Sequence, residues 1–162
     1  MKTNSSIKEQ SLSPLSPSTS GKLQLQTTSK ETQAAELDEP ILMALAAAAE
    51  KKALNVVVLD LREIASFTDY FLIISGANER QVQAISDEVL ETLKKAGTPA
   101  ARVEGYKTAE WILLDYGYFI VHVFDDKARK FYDLERLWRE SKRVEMAPEL
   151  AGEVNSSLRT ES

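Results

Sequence analysis

All twelve aromatic residues of this chain (five Phe, five Tyr, two Trp) lie between Phe67 and Trp138, and that confinement limits where a core can form. Aromatic side chains bury roughly 150–250 Å² each and dominate core energetics. The first 39 residues, by contrast, hold eight Ser, five Thr and no aromatic. A segment of that composition cannot bury enough apolar surface to offset backbone ordering, about 1–2 kcal/mol per residue. Residues 1–37 are therefore expected to be a disordered extension. From Met146 onward the chain has no aromatic and no sustained periodicity, so residues 146–162 are expected to be a flexible tail. Residues 38–145 remain for one domain with a two-layer core.

The same composition excludes several classes. Cysteine is absent, which removes disulfides and thiolate chemistry and agrees with a reducing compartment. No apolar run approaches the ~20 residues that span a bilayer, and the N-terminus lacks the apolar segment of a secretory signal. Residues 1–30 are Ser/Thr-rich with Glu9 as their only acid, as in organelle transit peptides, but the first arginine is Arg62. A cytoplasmic location is the expectation, ahead of an organelle. The formal net charge of −5 disfavours sequence-independent binding to nucleic acid by the molecule as a whole. The charge is uneven, however. Lys127, Arg129, Lys130, Arg136, Arg139, Lys142 and Arg143 face only Asp133, Glu135 and Glu140, a balance of 7 − 3 = +4. A solvated helix face with pairs such as Glu135–Arg139 accounts for this segment; an RNA-facing edge is the alternative.

Periodicity gives a coarse architecture. A helix is expected from Asp38, with Pro40 in its first turn and Ile41, Leu42, Leu45, Ala49 and Ala53 as its apolar stripe. Asn55–Asp60 reads as a strand, and Phe67–Ile74 as a second strand, apolar on both faces in its latter half and hence central. Asn78 is a candidate N-cap with Gln81 as its capping-box partner. Val82, Ile85, Val89 and Leu93 form the stripe of the helix that follows, which Gly97 and Pro99 end. After a short extended piece, Arg102–Glu104, Trp111–Asp115 and Phe119–Phe124 flank Tyr116-Gly117 as a hairpin. Alternation puts Trp111, Leu113 and Asp115 on one face and Ile112 and Leu114 on the other. Beyond a basic connection, Asp133 is expected to cap a last helix in which Leu134, Leu137 and Trp138 share a face. The order α-β-β-α-β-β-β-α implies an α/β fold, a mixed sheet of four or five strands with helices packed on it.

Reactive groups do not converge anywhere in this pattern. The only histidine, His122, sits mid-strand with no Gly-x-Ser-x-Gly turn elsewhere, which disfavours nucleophilic serine catalysis. One His and no Cys leave a zinc site without ligands. Ser75-Gly76-Ala77-Asn78 opens a helix after a strand but lacks the glycines and lysine of a phosphate loop. Asp125 and Asp126 are adjacent, so a strand would point them apart, and Asp60, Asp69 and Asp115 are isolated. No catalytic residue, metal or cofactor is expected. A surface for another macromolecule is the better reading, since apolar patches anchored by Trp and Tyr mark such sites. Alternation alone leaves Trp111 equally compatible with a contact and with a core covered by a further helix.

Several stretches together resemble one family. They are Val58-Leu-Asp60, Thr68-Asp-Tyr-Phe71, Ile74-Ser-Gly76, Arg80-Gln-Val82 with Ala84-Ile85, Glu104-Gly105, Trp111-Ile-Leu-Leu-Asp-Tyr-Gly117, Val121-His-Val-Phe124, and Arg129-Lys-Phe-Tyr132 running into Leu134-Glu-Arg-Leu-Trp138. In this order and spacing, over about residues 40–140, they are similar to the ribosomal silencing factors, also called the Iojap family. The resemblance implies an α/β fold like that of nucleotidyltransferases without their catalytic carboxylates. It also implies a translational repressor that binds the large ribosomal subunit through its fourteenth protein and sterically blocks the small subunit under nutrient limitation. Free members are often homodimers, and a nearby ribosomal RNA contact is expected for the basic segment. Partner-contact residues carry over best onto Trp111 and Tyr132, with Leu113, Asp115 and Leu134 as neighbours. One departure is Tyr118, where the family pattern often has Asp after the hairpin glycine; this is expected to change hairpin-tip charge and not the fold.

Overall fold

The computed structural model of the protein describes residues 37–151. Of the segments expected to be disordered or flexible, all but Leu37 and residues 146–151 lie outside the described residues. Of those inside, Leu37 is buried, and Met146 and Leu150 lie against the main core. The elements run α1 (Glu39–Glu50), β1 (Leu54–Asp60), β2 (Tyr70–Gly76), α2 (Glu79–Lys95), β3 (Arg102–Glu104), β4 (Trp111–Asp115), β5 (Phe119–Asp125), α3 (Asp126–Tyr132), α4 (Leu134–Leu137), β6 (Lys142–Arg143) and α5 (Pro148–Ala151). The sheet has six strands in the order β3-β4-β5-β2-β1-β6. The β2–β5 pair is parallel and the others antiparallel. Four or five strands were expected. The sixth is a two-residue piece pairing with the outer edge of β1, too short to carry a period.

The helix starts follow the sequence closely. The Asp38 carboxylate accepts from the Ile41 N–H at 3.3 Å with Pro40 in the first turn, and Asn78 accepts from the Gln81 N–H at 2.9 Å. Gln81 reaches one residue beyond the cap, accepting from the Ala77 N–H at 2.6 Å. Its amide also donates to the carbonyls of Lys51 and Lys52, which ties the start of α2 to the end of α1. Val82, Ile85, Val89 and Leu93 are fully buried, as their spacing requires. In α1 the expected stripe is corrected: Leu42 is exposed, and Ala44 and Ala48 join Ile41 and Leu45 in the core. A helix this rich in alanine is apolar nearly all round, so periodicity does not choose its buried face.

The larger correction is at the C-terminal side. The segment read as a basic connection is helix α3, begun by Asp125, whose carboxylate accepts from the Ala128 N–H at 2.9 Å. Asp133 caps nothing with its side chain; it sits at φ 51°, ψ 55° as the left-handed joint between α3 and α4. Helix α4 is a single turn, and its Leu134 is buried, but Leu137 is 71% exposed and shares no face with it.

Helices α1 and α2 cover one face of the sheet over Ile112, Leu114, Val121 and Val123. The opposite face carries Phe71, Ile73, Ile120 and Phe124, covered in part by Ala128 of α3, Leu134 of α4 and Trp138. Strand β2 is buried at every position, between β5 and β1.

Candidate docking face

Strand β4 alternates as its sequence requires: Ile112 and Leu114 are fully buried, and Trp111, Leu113 and Asp115 are half-buried on the thinly covered face. The start of β4 is held by the loop before it. Gly105 has φ +80°, and a Cβ there would lie 2.1 Å from the Trp111 carbonyl oxygen, so only glycine lets the two backbone segments approach this closely. At the other end Gly117 takes φ +90° and its carbonyl accepts from the buried Thr68 hydroxyl at 2.9 Å.

The Trp111 ring lies 4.7 Å from Tyr132 and 5.0 Å from Phe124, centroid to centroid. Tyr132 ends α3 and is 46% exposed, so the strand and the helix bring these two expected contact residues together. Leu113 is the next residue on the same face, and both it and Trp111 pack on the second core. Leu134 is 9% exposed and lies under the face more than on it. Asp115 stands at the hairpin end, where its carboxylate accepts from the Gly117 N–H at 2.8 Å and from Arg102 at 3.3 Å.

Arg129 fixes the α3–α4 corner. It is buried; its guanidinium donates to the Asn55 carbonyl at 2.5 Å and the Ser75 hydroxyl at 2.9 Å. It also makes a two-pronged contact to the Glu135 carboxylate at 3.1 Å on each arm. Arg143 reaches the same carboxylate at 3.2 Å. The expected Glu135–Arg139 pair is thereby replaced, because Arg129 presents its planar fork to Glu135 from inside the fold. Lys130 pairs with Asp126 and Lys142 with Glu63. Among the described residues, Lys127, Arg136 and Arg139 make no ion pair.

His122 lies on β5 opposite Leu113, 3% exposed. Its Nδ1 accepts from the Trp111 indole N–H at 3.1 Å, and Phe71 meets its ring edge-on at 4.4 Å. Burial pushes its pKa down to about 3, so it is neutral at pH 7 with the proton on Nε2, which has no partner among the described residues. Because the folded value lies below the unfolded one, the buried neutral histidine carries no protonation penalty above about pH 6.5. Below that, stability falls as pH drops toward about 3, because over this window the unfolded chain takes up a proton that the native state refuses. The loss begins near pH 6.5 and steepens as pH falls toward about 5, as the unfolded chain becomes fully protonated. Urea unfolding of the wild type against His122→Phe over pH 7 to 5 measures it; equal slopes for the two proteins would refute it.

Sequence reasoning passed over Phe131, which is 80% exposed and meets Tyr132 at right angles, 5.0 Å away. No local signal singled it out, because the segment carries no apolar stripe that marks it as a helix with an outer and an inner face.

The profile of the family described as "Ribosomal silencing factor during starvation" matches residues 34–162. The chain belongs to the ribosomal silencing factor family. It is 41% identical over 108 residues to the ribosomal silencing factor of Halalkalibacterium halodurans, covering 67% of this chain and 92% of that one. A crystal structure of a Chromobacterium violaceum protein shares the fold at a TM-score of 0.61 and 33% identity, over 64% of this chain and 86% of that one. A mouse relative, named mitochondrial assembly of ribosomal large subunit protein 1, is 28% identical over 123 residues, 74% of this chain and 53% of that one. In this silencing factor the family-like stretches serve three structural ends. Thr68, Gly105 and Gly117 hold the hairpin, Arg129 and Ser75 hold the corner, and Trp111 and Tyr132 stand on the face those pieces frame. No helix among the described residues is long and apolar enough to cross a membrane.

Proposed function

We propose that this silencing factor represses translation by binding the large ribosomal subunit through its fourteenth protein, on the surface that receives the small subunit. The observation that supports this is the contact between Trp111 and Tyr132 on a partly covered sheet face, flanked by the exposed Phe131 and Leu137. Contiguous aromatic and apolar groups with a polar rim suit a macromolecular partner. Family membership favours a ribosomal one, and the mouse relative is named for the large subunit. Leu113 extends the patch, Asp115 supplies its polar edge and Leu134 supports it from below. Lys127, Arg136 and Arg139, without ion pairs among the described residues, favour ribosomal RNA beside that protein as a secondary contact. When free, the chain pairs as a homodimer, and no catalytic step enters the mechanism.

Light scattering during reassociation of purified ribosomal subunits tests the reading. Added protein slows or abolishes the rise in scattering, and an unchanged time course would overturn it.

A further inference from the structure

We infer that His122 is a positioning residue for docking: by accepting the Trp111 indole N–H it holds that ring against Tyr132 in the orientation the partner meets. This rests on the proposed role of Trp111 as an anchor. Trp111 begins its strand and is half-buried, and its ring contacts with Phe124 and Tyr132 are apolar and undirected, so they leave the ring some freedom to tilt. The bond to His122 Nδ1 at 3.1 Å removes that freedom. The histidine is itself immobile, paired on the sheet with Leu113 and Ile73 on its two sides and closed over by Phe71 at 4.4 Å. An anchor fixed before binding loses less rotamer freedom on docking. The arrangement also states the partner's chemistry at this point. The indole N–H is already engaged, so Trp111 offers a ring and no free donor, and the partner surface over it is apolar with no acceptor to satisfy.

A stability role alone would not require this residue. His122 leaves its buried Nε2 without a partner among the described residues, and an unsatisfied buried donor weakens a fold. His122→Phe keeps an aromatic ring among Phe71, Trp111 and Phe124 while removing both the orphan donor and the acceptor. The Trp111 indole N–H loses its acceptor but belongs to a half-buried residue and can turn to water, so the fold keeps about its wild-type stability and the docking ring is released.

The experiment is a double-mutant cycle on the full chain, with Trp111→Ala, His122→Phe and the combination. Affinity for isolated large subunits is measured by co-sedimentation, and stability by urea unfolding at pH 7. His122→Phe is expected to bind about tenfold more weakly with an undiminished unfolding midpoint, and the double variant no more weakly than Trp111→Ala alone, because both changes act through one ring. His122→Asn, whose side-chain oxygen stands near the position of Nδ1, restores part of the lost affinity. The Trp111 indole N–H proton resonance shifts in His122→Phe and returns toward its original position in His122→Asn. Wild-type affinity in His122→Phe, or losses that add in the double variant, would overturn the positioning role. Wild-type affinity in Trp111→Ala would instead overturn the anchor reading on which it rests, so the two failures are told apart.

Discussion

Trp111→Ala and Tyr132→Ala each bind isolated large subunits about 30- to 1000-fold more weakly than the wild type, the effect of losing an aromatic hot spot worth ~2–4 kcal/mol. The two rings touch, so their losses are coupled and the double variant falls short of the product of the single effects. Tyr132 is the cleaner probe, since it is nearly half exposed and its removal opens little of the core. Trp111 contributes to the second core as well, so its variant needs an unfolding curve beside the binding curve. Co-sedimentation with purified subunits reads both. Retention of wild-type binding by folded forms of the two variants would remove these residues from the interface.

Arg129→Met unfolds in urea with about 3 kcal/mol less stability than the wild type, the lower end of the cost of breaking a buried ion pair. The lower end applies because Glu135 is a quarter exposed and can turn to water. The Asn55 carbonyl and the Ser75 hydroxyl lose their donor as well. Four separate parts of the chain meet at this guanidinium: the start of β1, the end of β2, α3, and the first turn of α4. The same variant therefore loosens the corner that carries Tyr132, and its binding weakens further than its unfolded fraction accounts for. A loss below 1 kcal/mol would show that the corner is held by packing alone.

The parts of this fold legible in the sequence are those with a strong period and an unambiguous cap. Strands β4 and β5 and helix α2 with its cap at Asn78 stand where the pattern put them, as does the cap at Asp38. The strands are rich in β-branched and apolar residues, and each of the two helix starts has a side chain that satisfies a free backbone N–H. Strand β2 begins at Tyr70, three residues after the expected Phe67, which is exposed. Helix α3 was hidden because its seven residues span barely two turns and four of them are charged, so no apolar stripe develops. Its cap, Asp125, looked like half of an aspartate pair. Leu137 was misplaced by assuming a longer helix than the single turn that forms.

The site was legible in part. Alternation separated Trp111 and Leu113 from Ile112 and Leu114, and the family-like stretches pointed to Tyr132. That Trp111 and Tyr132 touch follows from α3, which starts at the end of β5 with Asp125 as its cap and ends with Tyr132 against Phe124 and Trp111, and local pattern does not announce that course. Two of the partners of Arg129, Asn55 and Ser75, lie 74 and 54 residues away, beyond the reach of any local pattern. The mid-strand place of His122 was legible, but its hydrogen bond to Trp111 depends on strand register between β4 and β5.

The Tyr118 hydroxyl donates to the Asp38 carboxylate at 2.5 Å, so a single side chain that caps α1 also fastens the hairpin tip. The start of α1 is thereby placed beside the Gly117 turn, at the far end of β4 from Trp111, about 14 Å along a five-residue strand. The chain has no cysteine, and Glu39 is exposed in the first turn of α1. A Glu39→Cys variant thus offers a single thiol for a fluorophore, one strand length removed from the docking rings and rigidly tied to the sheet that bears them.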